Sequence, residues 1–547
     1  MQVELIWLSN DTESIPVWEL GPVQPALPTP ASVARACLEI APESDLVLFW
    51  DAALGLPNPA AIPACLETGG DVWHGGLALG MTGLPGALNV VNPAWRFTRD
   101  PAPDLIATSW RLSLRACLVR AEVIRQLGGP NAAFDSLTAA GLEMGHRWIS
   151  EGALMRHVPD LLPIPSVDSS VEPTPLVDEF RFVRARFGGQ WARWTVWRMW
   201  RNGVSLRDAW IAYQTSADLK TQPVTTHPHP LSLPDLDRDR VMSVSVLIPT
   251  LDRYPYLFTV LDQLREQTVP PLEIIVVDQT ASSERDRTWP EQFADLPLQI
   301  IWQDEAGQCS SRNAGLQAAQ GEAVLFLDDD DEIEPDLIER HLAFLQEYDV
   351  DGSVGVAEEV GAGALPSDFR FIRDSNVFTT NNSLLRREAL YESSLFDLAY
   401  NRGARADGDL GMRLYLAGKL LVLNPMASVL HMHAPRGGLR QHKARVVTNA
   451  SSRASLLERH FLSPTEAYLL SRYFTPQQVH EAVLIRTYSS LNTRYGGWRR
   501  LVRMVLMILL LPDTYLRNRR ALEEGRHLLA QYPTIPTLKP NRLEEIL

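Results

Sequence analysis

The stretch that decides the fold is Ser310–Asp331, SSRNAGLQAAQGEAVLFLDDDD. Ser311–Ala319 reads as a helix, Gln320-Gly321 as a break, and Ala323–Leu327 (AVLFL) as a short buried strand. Four aspartates, Asp328–Asp331, follow that strand without a spacer. Adjacent like charges repel, so some must protonate or turn to water unless a cation offsets them. A divalent hard cation such as Mg²⁺ or Mn²⁺ would remove that cost. The plainer reading is a solvated helix N-terminus, where Asp is favoured by the macrodipole. Position after a buried strand favours the cation.

Outward from this point the pattern repeats. Ser243–Pro249 (SVSVLIP), Leu272–Asp278 (LEIIVVD) and Leu298–Trp302 (LQIIW) are further apolar strands, with helical spacing over Leu257–Gln267. Continuous Val/Ile/Leu strands alternating with helices predict a parallel sheet covered on both faces. Ligands of such sheets sit at the carboxyl ends of the strands, where Asp278 and the aspartate run lie.

The chain has 547 residues, 51 Lys+Arg against 66 Asp+Glu, and a net charge of −15. That length predicts two to four domains. The acidic balance excludes a general nucleic-acid binder. With no apolar run of about 18 residues, a spanning helix is not expected. The start, MQVELIWLSNDTES, lacks the pattern of a signal peptide. Cys37, Cys65, Cys117 and Cys309 are far apart and fit a reduced, cytoplasmic protein. No P-loop, G-x-S-x-G or H-E-x-x-H motif occurs.

Residues 243–433 resemble a family 2 glycosyltransferase with the GT-A fold. The resemblance runs through VSVLIPTLDRYPYL, LEIIVVDQT, SSRNAGLQAAQGEAVLFLDDDD, NNSLLRREAL and ADGDLGMRLYLAGK, in that order. It implies a Rossmann-like α/β domain that transfers a sugar from a nucleotide-diphosphate donor to an acceptor hydroxyl, with inversion. Carried over by position, Thr250 and Arg253 open the nucleotide pocket, Asp278 meets the base, and Arg312 and Asn313 lie beside the diphosphate. Asp328 and Asp330 form the DxD pair for ribose and metal. Asp407 matches the catalytic base and Asp409 its donor-side partner. His431 or His433 supplies a further metal ligand, and sequence does not choose between them. Four departures, Asp252, Gln279, Ser311 and Ala406, touch none of these groups. A non-catalytic scaffold on the same fold, or a nucleotidyltransferase, are the other readings; the second usually has a Gly-rich loop after the first strand, and PTLDRYPYL has no glycine.

A faint internal repeat places Leu46–Asp51 (LVLFWD) against Ala323–Asp328, Cys117–Ile124 against Ser383–Leu390, and Glu143–Arg147 against Asp409–Arg413. Ala53 stands where Asp330 is, and Gly141 where Asp407 is. The predicted organisation is therefore a degenerate GT-A-like α/β domain over 1–170, a basic Trp/Arg-rich helical segment over 171–214, and a solvated linker over 215–242. The GT-A catalytic domain follows over 243–440 and a helical region over 441–547. Two segments without acids, 181–207 with seven arginines and 482–512 with five, are rich in apolar residues. The first carries Trp191, Trp194, Trp197 and Trp200; in the second an apolar run, Met504–Leu511, stops at Pro512, and Leu501–Leu511 is expected as a helix about 17 Å long. Either 181–207 or 494–511 could lie on a membrane at its inner face, or pack between domains. The expected partners are a nucleotide-sugar donor and a glycan, lipid-linked or small-molecule acceptor, with no nucleic acid.

Overall fold

Two sheets organise the chain. The first holds β1 (Val3–Leu8), β2 (Val23–Ala26), β3 (Leu46–Asp51), β4 (Val72–His74), β5 (Ala107–Thr108), β6 (Ala116–Arg120) and β7 (Met155–His157), in the order β2-β1-β3-β6-β4-β7-β5. The second holds β8 (Val244–Thr250), β9 (Glu273–Asp278), β10 (Leu298–Trp302), β11 (Ala323–Leu327), β12 (Asp331–Ile333), β13 (Gly352–Glu359), β14 (Arg373–Asp374), β15 (Asn382–Arg386) and β16 (Leu421–His431). Its order is β10-β9-β8-β11-β15-β13-β16-β12, with β14 also paired to β16. This computed structural model describes residues 1–538 except 12, 14, 84–85, 92–94, 163–172, 220–226, 362 and 436–448. The boundaries expected near 170 and 440 lie outside the described residues.

Strands β10, β9, β8 and β11 are mutually parallel, as their unbroken apolar runs predict. Beyond β11 the sheet turns mixed, because β15 runs antiparallel to both β11 and β13. The result is an α/β arrangement, a parallel half joined to a mixed half, of the kind that the GT-A resemblance implies.

Without β10 and β12, the second sheet reads β9-β8-β11-β15-β13-β16-β14, which is the first sheet strand for strand. Every corresponding pair also has the same sense, parallel or antiparallel. An offset of 266 residues relates β5, β6 and β7 to β14, β15 and β16, as between Thr108 and Asp374. The units meet through these same strands. The Ile372 carbonyl oxygen lies 2.7 Å from where a side chain on Gly152 would begin, and the Ile106 carbonyl oxygen lies 2.5 Å from the same point on Gly418. Ile106 and Ile372 are counterparts, as are Gly152 and Gly418. The contacts are thus reciprocal, in the manner of a twofold dimer fused into one chain. Both glycines have positive φ, so a side chain there would meet strain as well as backbone.

At the centre of this contact, Asp374 accepts from Arg156 Nη1 at 2.7 Å and from the Met155 N–H at 2.7 Å, and both side chains of the ion pair are fully buried. Asp374→Ala would leave a buried guanidinium without its carboxylate. We expect a loss of about 3–5 kcal/mol in a denaturant titration.

Two local expectations change. The 215–242 segment is not a free linker: His227 stacks on Phe371 at 3.7 Å, and His229 bonds Asp71 at 2.8 Å. Pro-rich composition reports the lack of regular structure, and says nothing of tertiary partners. Pro512 does not stop its helix, which runs from Gly497 to Gln531. Proline costs one backbone bond there, and the burial of Thr514, Asn518, Ala521, Leu522 and Gly525 beyond it carries the helix on. Among the tryptophans of the helix Gly189–Arg201, Trp194 donates to the Val90 carbonyl and Trp197 packs edge-on against Tyr488. That helix therefore lies between the first unit and the C-terminal helices. No helix among the described residues is long and apolar enough to cross a membrane.

Candidate functional site

The carboxyl ends of β8, β9 and β11 meet, as the parallel register requires: Thr250 is paired with Asp278, and Asp328 directly follows β11. The four aspartates then part company. Asp329 accepts from Thr250 Oγ1 at 2.8 Å and Arg253 Nη1 at 2.9 Å, so it holds the first loop. Asp331 accepts the Asp328 N–H and faces His431 Nδ1 at 2.8 Å. Asp328 and Asp330 remain, and with His431 they form a group whose ligand atoms lie within 4.8 Å of one another. Two carboxylates and an imidazole suit Mg²⁺ or Mn²⁺. The Asp331 bond to Nδ1 leaves Nε2 as the second ring nitrogen, in the way a carboxylate orients a ligating histidine.

The backbone separates the two histidines that sequence left open. Antiparallel pairing of β12 with β16 sets Asp331 opposite His431. The chain then turns, with Met432 N–H on the Asp330 carbonyl and Ala434 N–H on Asp330 Oδ2 at 2.8 Å. His433 sits in that turn at φ +54° and faces Glu359 at 3.5 Å, outside the group.

Burial and neighbouring charge perturb the groups around the site. Burial lifts the carboxyls of Asp329 and Asp331 to about 7, and the bond to Asp331 pulls His431 up to about 9. Arg253 touches Asp329 and Asp330, and Arg312 touches Asp328 at 2.9 Å. The two arginines thus stand beside the carboxylates, where a diphosphate would need positive charge.

Other residues singled out in the sequence are placed less simply. Asp278 is fully buried and accepts from Tyr254 Oη at 2.7 Å and the Thr280 N–H at 2.8 Å. Asn313 is tied at both ends to the Phe396 backbone, by 2.8 Å bonds, and so braces the helix Gln308–Ala318 instead of facing a diphosphate. Asp409 is also fully buried, and takes bonds from Arg413 Nε at 2.9 Å, Tyr473 Oη at 2.7 Å and Tyr400 Oη at 3.3 Å. It anchors the helix Ala406–Leu416 to the helix Pro464–Tyr473, away from the donor side. Asp407, in the first turn of the same helix, is exposed. Its predecessor but one, Arg405, holds φ at +85°, a left-handed conformation that costs a non-glycine residue about 1–3 kcal/mol.

One residue had no signal in the sequence. Arg96, from the first unit, is buried against the helix of Asp407. Its Nη1 donates to the Ser375 carbonyl at 3.2 Å, and its Nη2 lies 2.1 Å from where a side chain on Gly411 would begin. Gly411 is one turn on from Asp407 and shares its face. Phe97 meets Tyr415, one turn further, at 5.3 Å. Burial lowers Arg96 to about 10, while the charges of Tyr415 and Asp407 favour its cation. Gly411→Ala would push the guanidinium off this face. The expected result is a loss of about 1–3 kcal/mol in stability, by overpacking of a filled site, seen as a lower thermal midpoint.

In the first unit Asp51, the counterpart of Asp328, is paired with Arg115 at 2.6 Å and accepts the Ala53 N–H, and Ala53 offers no carboxylate where the second unit has Asp330. The Leu112 carbonyl oxygen lies 3.0 Å from where a side chain on Gly141 would begin, which leaves no room for a counterpart of Asp407.

Residues 245–393 match the profile described as Glycosyl transferase family 2. The putative glycosyltransferase EpsH of Bacillus subtilis (strain 168) is 37% identical over 102 residues, 18% of this chain and 29% of its own. The uncharacterized glycosyltransferase YwdF of the same organism is 28% identical over 171 residues, 28% of this chain and 62% of its own. Among solved structures, Staphylococcus aureus TarS 1–349 in complex with UDP-GlcNAc is 18% identical, with a TM-score of 0.36 over 53% of this chain and 92% of that one. The chain thus spans less than two thirds of the length of the curated relatives it matches.

Proposed function

With residues 245–393 forming a family 2 glycosyltransferase domain, we propose that the protein transfers a sugar from a nucleotide-diphosphate donor to an acceptor hydroxyl, with inversion and with Mg²⁺ or Mn²⁺. Building of a cell-surface polysaccharide or related glycan is the setting that the name of TarS, a poly(ribitol-phosphate) beta-N-acetylglucosaminyltransferase, supports. The observation that carries the reading is the convergence of Asp328, Asp330 and His431, flanked by Arg253 and Arg312, at the carboxyl end of the parallel strands.

Asp328, Asp330 and His431 would hold the metal, which when bound supplies charge to stabilise the departing diphosphate. Arg312 and Arg253 add fixed positive charge at the same place, in a site where nearby burial strengthens it. On the acceptor side, Asp407 takes the proton from the attacking hydroxyl, a poor nucleophile until that proton leaves. A single displacement assisted by one base inverts the anomeric carbon. The first unit, with Ala53 and Gly141 in place of the metal and base carboxylates, acts as a fixed partner that holds the acceptor-side helix through Arg96 and Phe97.

The test is a thermal-shift panel of nucleotide sugars with and without Mn²⁺, followed by an assay of nucleoside diphosphate release. The reading requires at least one donor to stabilise the protein in a Mn²⁺-dependent manner. If no nucleotide or nucleotide sugar binds with or without metal, a scaffold role takes its place. Release of pyrophosphate in place of nucleoside diphosphate would indicate a nucleotidyltransferase.

A further inference from the structure

The helix Gly497–Gln531 has two opposite faces, one buried and the other apolar yet exposed. One face, Arg503, Met507, Thr514, Asn518, Ala521, Leu522 and Gly525, is buried against the protein. The other turns Trp498, Leu501, Val505, Ile508 and Leu509 outward, each more than half exposed. At 100° per residue these five, with Pro512 and Leu516, fall in one stripe opposite the buried face. Folding has no use for such a row. Exposed contiguous apolar surface marks a place where something docks.

Its surroundings say what kind of partner fits. Residues 482–512 hold five arginines and no acid, in a chain whose net charge is −15. Of these, Arg494, Arg499 and Arg500 are exposed at the start of the stripe. At its other end, Pro512 joins Leu511 and Tyr515 as one wall of a cavity of about 610 Å³, whose opposite wall is Trp197, Trp200 and the exposed Arg201. Trp200 is itself 45% exposed. Tryptophan, aliphatic side chains and arginine together are the composition of a surface that enters a lipid interface: apolar residues reach the acyl boundary, indoles stay at headgroup depth, and arginines meet anionic phosphate.

We propose that the stripe Trp498–Leu516, with the cavity at its end, docks the protein in plane on a bilayer that carries anionic lipid. The docking does not depend on the transfer reaction, and its test needs no donor. Full-length protein is sedimented with vesicles of phosphatidylcholine alone, or with roughly 30% phosphatidylglycerol added. We expect binding to the anionic vesicles at least about 10-fold stronger than to the neutral ones, and lost in about 1 M salt. Trp498→Glu with Leu509→Glu should reduce binding about 10-fold or more without moving the thermal midpoint, since both side chains are exposed and touch no core. Arg499→Glu with Arg500→Glu should remove the preference for anionic lipid while the fold persists. Equal, weak recovery with both vesicle types would overturn the proposal, and so would undiminished binding of the Trp498/Leu509 variant. A concentration-dependent dimer that this variant abolishes, in protein that ignores vesicles, would assign the stripe to self-association instead.

Discussion

Asp330→Ala should abolish metal-dependent donor binding. Asp330 is 2% exposed, and its carboxylate serves three partners: the cation group with Asp328 and His431, Arg253 at 3.1 Å, and the Ala434 N–H at 2.8 Å. Loss of one of three ligands weakens a divalent site by more than loss of an outer-sphere partner, which already costs about 10–100-fold. We therefore expect Mn²⁺ affinity, titrated by electron paramagnetic resonance with UDP or GDP present, to fall about 100-fold or more. Because the alanine also releases the turn that carries His431, Asp330→Asn is the sharper variant. The amide keeps the size and one acceptor oxygen but no charge, so the turn survives while the cation is lost. Asp329→Asn is the matching control. Asp329 belongs to Thr250 and Arg253, so its loss should loosen the first loop and leave Mn²⁺ affinity within about threefold. Parental Mn²⁺ binding by Asp330→Asn would remove the metal assignment altogether.

The donor side of this site was legible because its determinants are local. AVLFL followed by DDDD, and LEIIVVD ending on Asp278, place carboxylates at strand ends by chain order alone, and a parallel sheet does the rest. Even there the sequence could not sort the four aspartates. Which of them turn toward His431 depends on the β12–β16 pairing, about 100 residues away in the chain. The same pairing, plus one left-handed turn at His433, settles the histidine choice. Asn313 and Asp409 follow the family pattern in position, yet their side chains are used up in bracing helices. Motif spacing reports where a residue lies along the chain, while its partners arrive from elements the motif does not contain. Arg96 is the extreme case. It sits in WRFT, with no pattern around it, and gains a meaning only when the two units pack. The repeat itself was visible as scattered pairs. What made it firm is the identity of strand order and sense, together with the reciprocal Gly152–Ile372 and Gly418–Ile106 contacts.

That reciprocity bears on why an emptied unit persists. In a twofold dimer each copy would brace the other's acceptor-side helix. Once fused, only one site needs its carboxylates, and the other copy is free to lose them while the interface stays under constraint. Burial of Arg156 and Asp374 at the shared contact, and of Arg96 on Gly411, fits that division of labour.

Asp407→Asn tests the other half of the mechanism. Asp407 lies in the first turn of that helix, exposed on the acceptor side, while its neighbour Asp409 points inward to Tyr473 and Arg413. The asparagine is the same size and stays exposed, so the fold should lose no more than about 1 kcal/mol, the value of a carboxylate at a helix N-terminus. It cannot accept a proton. Transfer should fall about 10²–10⁴-fold, the range that one general base supplies, while Mn²⁺-dependent donor binding stays within about twofold of the parent. The contrast with Asp330→Asn is the informative part: one variant loses metal and donor together, and the other keeps both and loses only the chemical step. An Asp409→Asn variant separates position from chemistry. Its effect should be on thermal stability, because Tyr473 and Arg413 would each lose a charged partner in a buried place. Transfer by Asp407→Asn at the parental rate would exclude Asp407 as the base, and would leave the metal site as the only part of the mechanism standing.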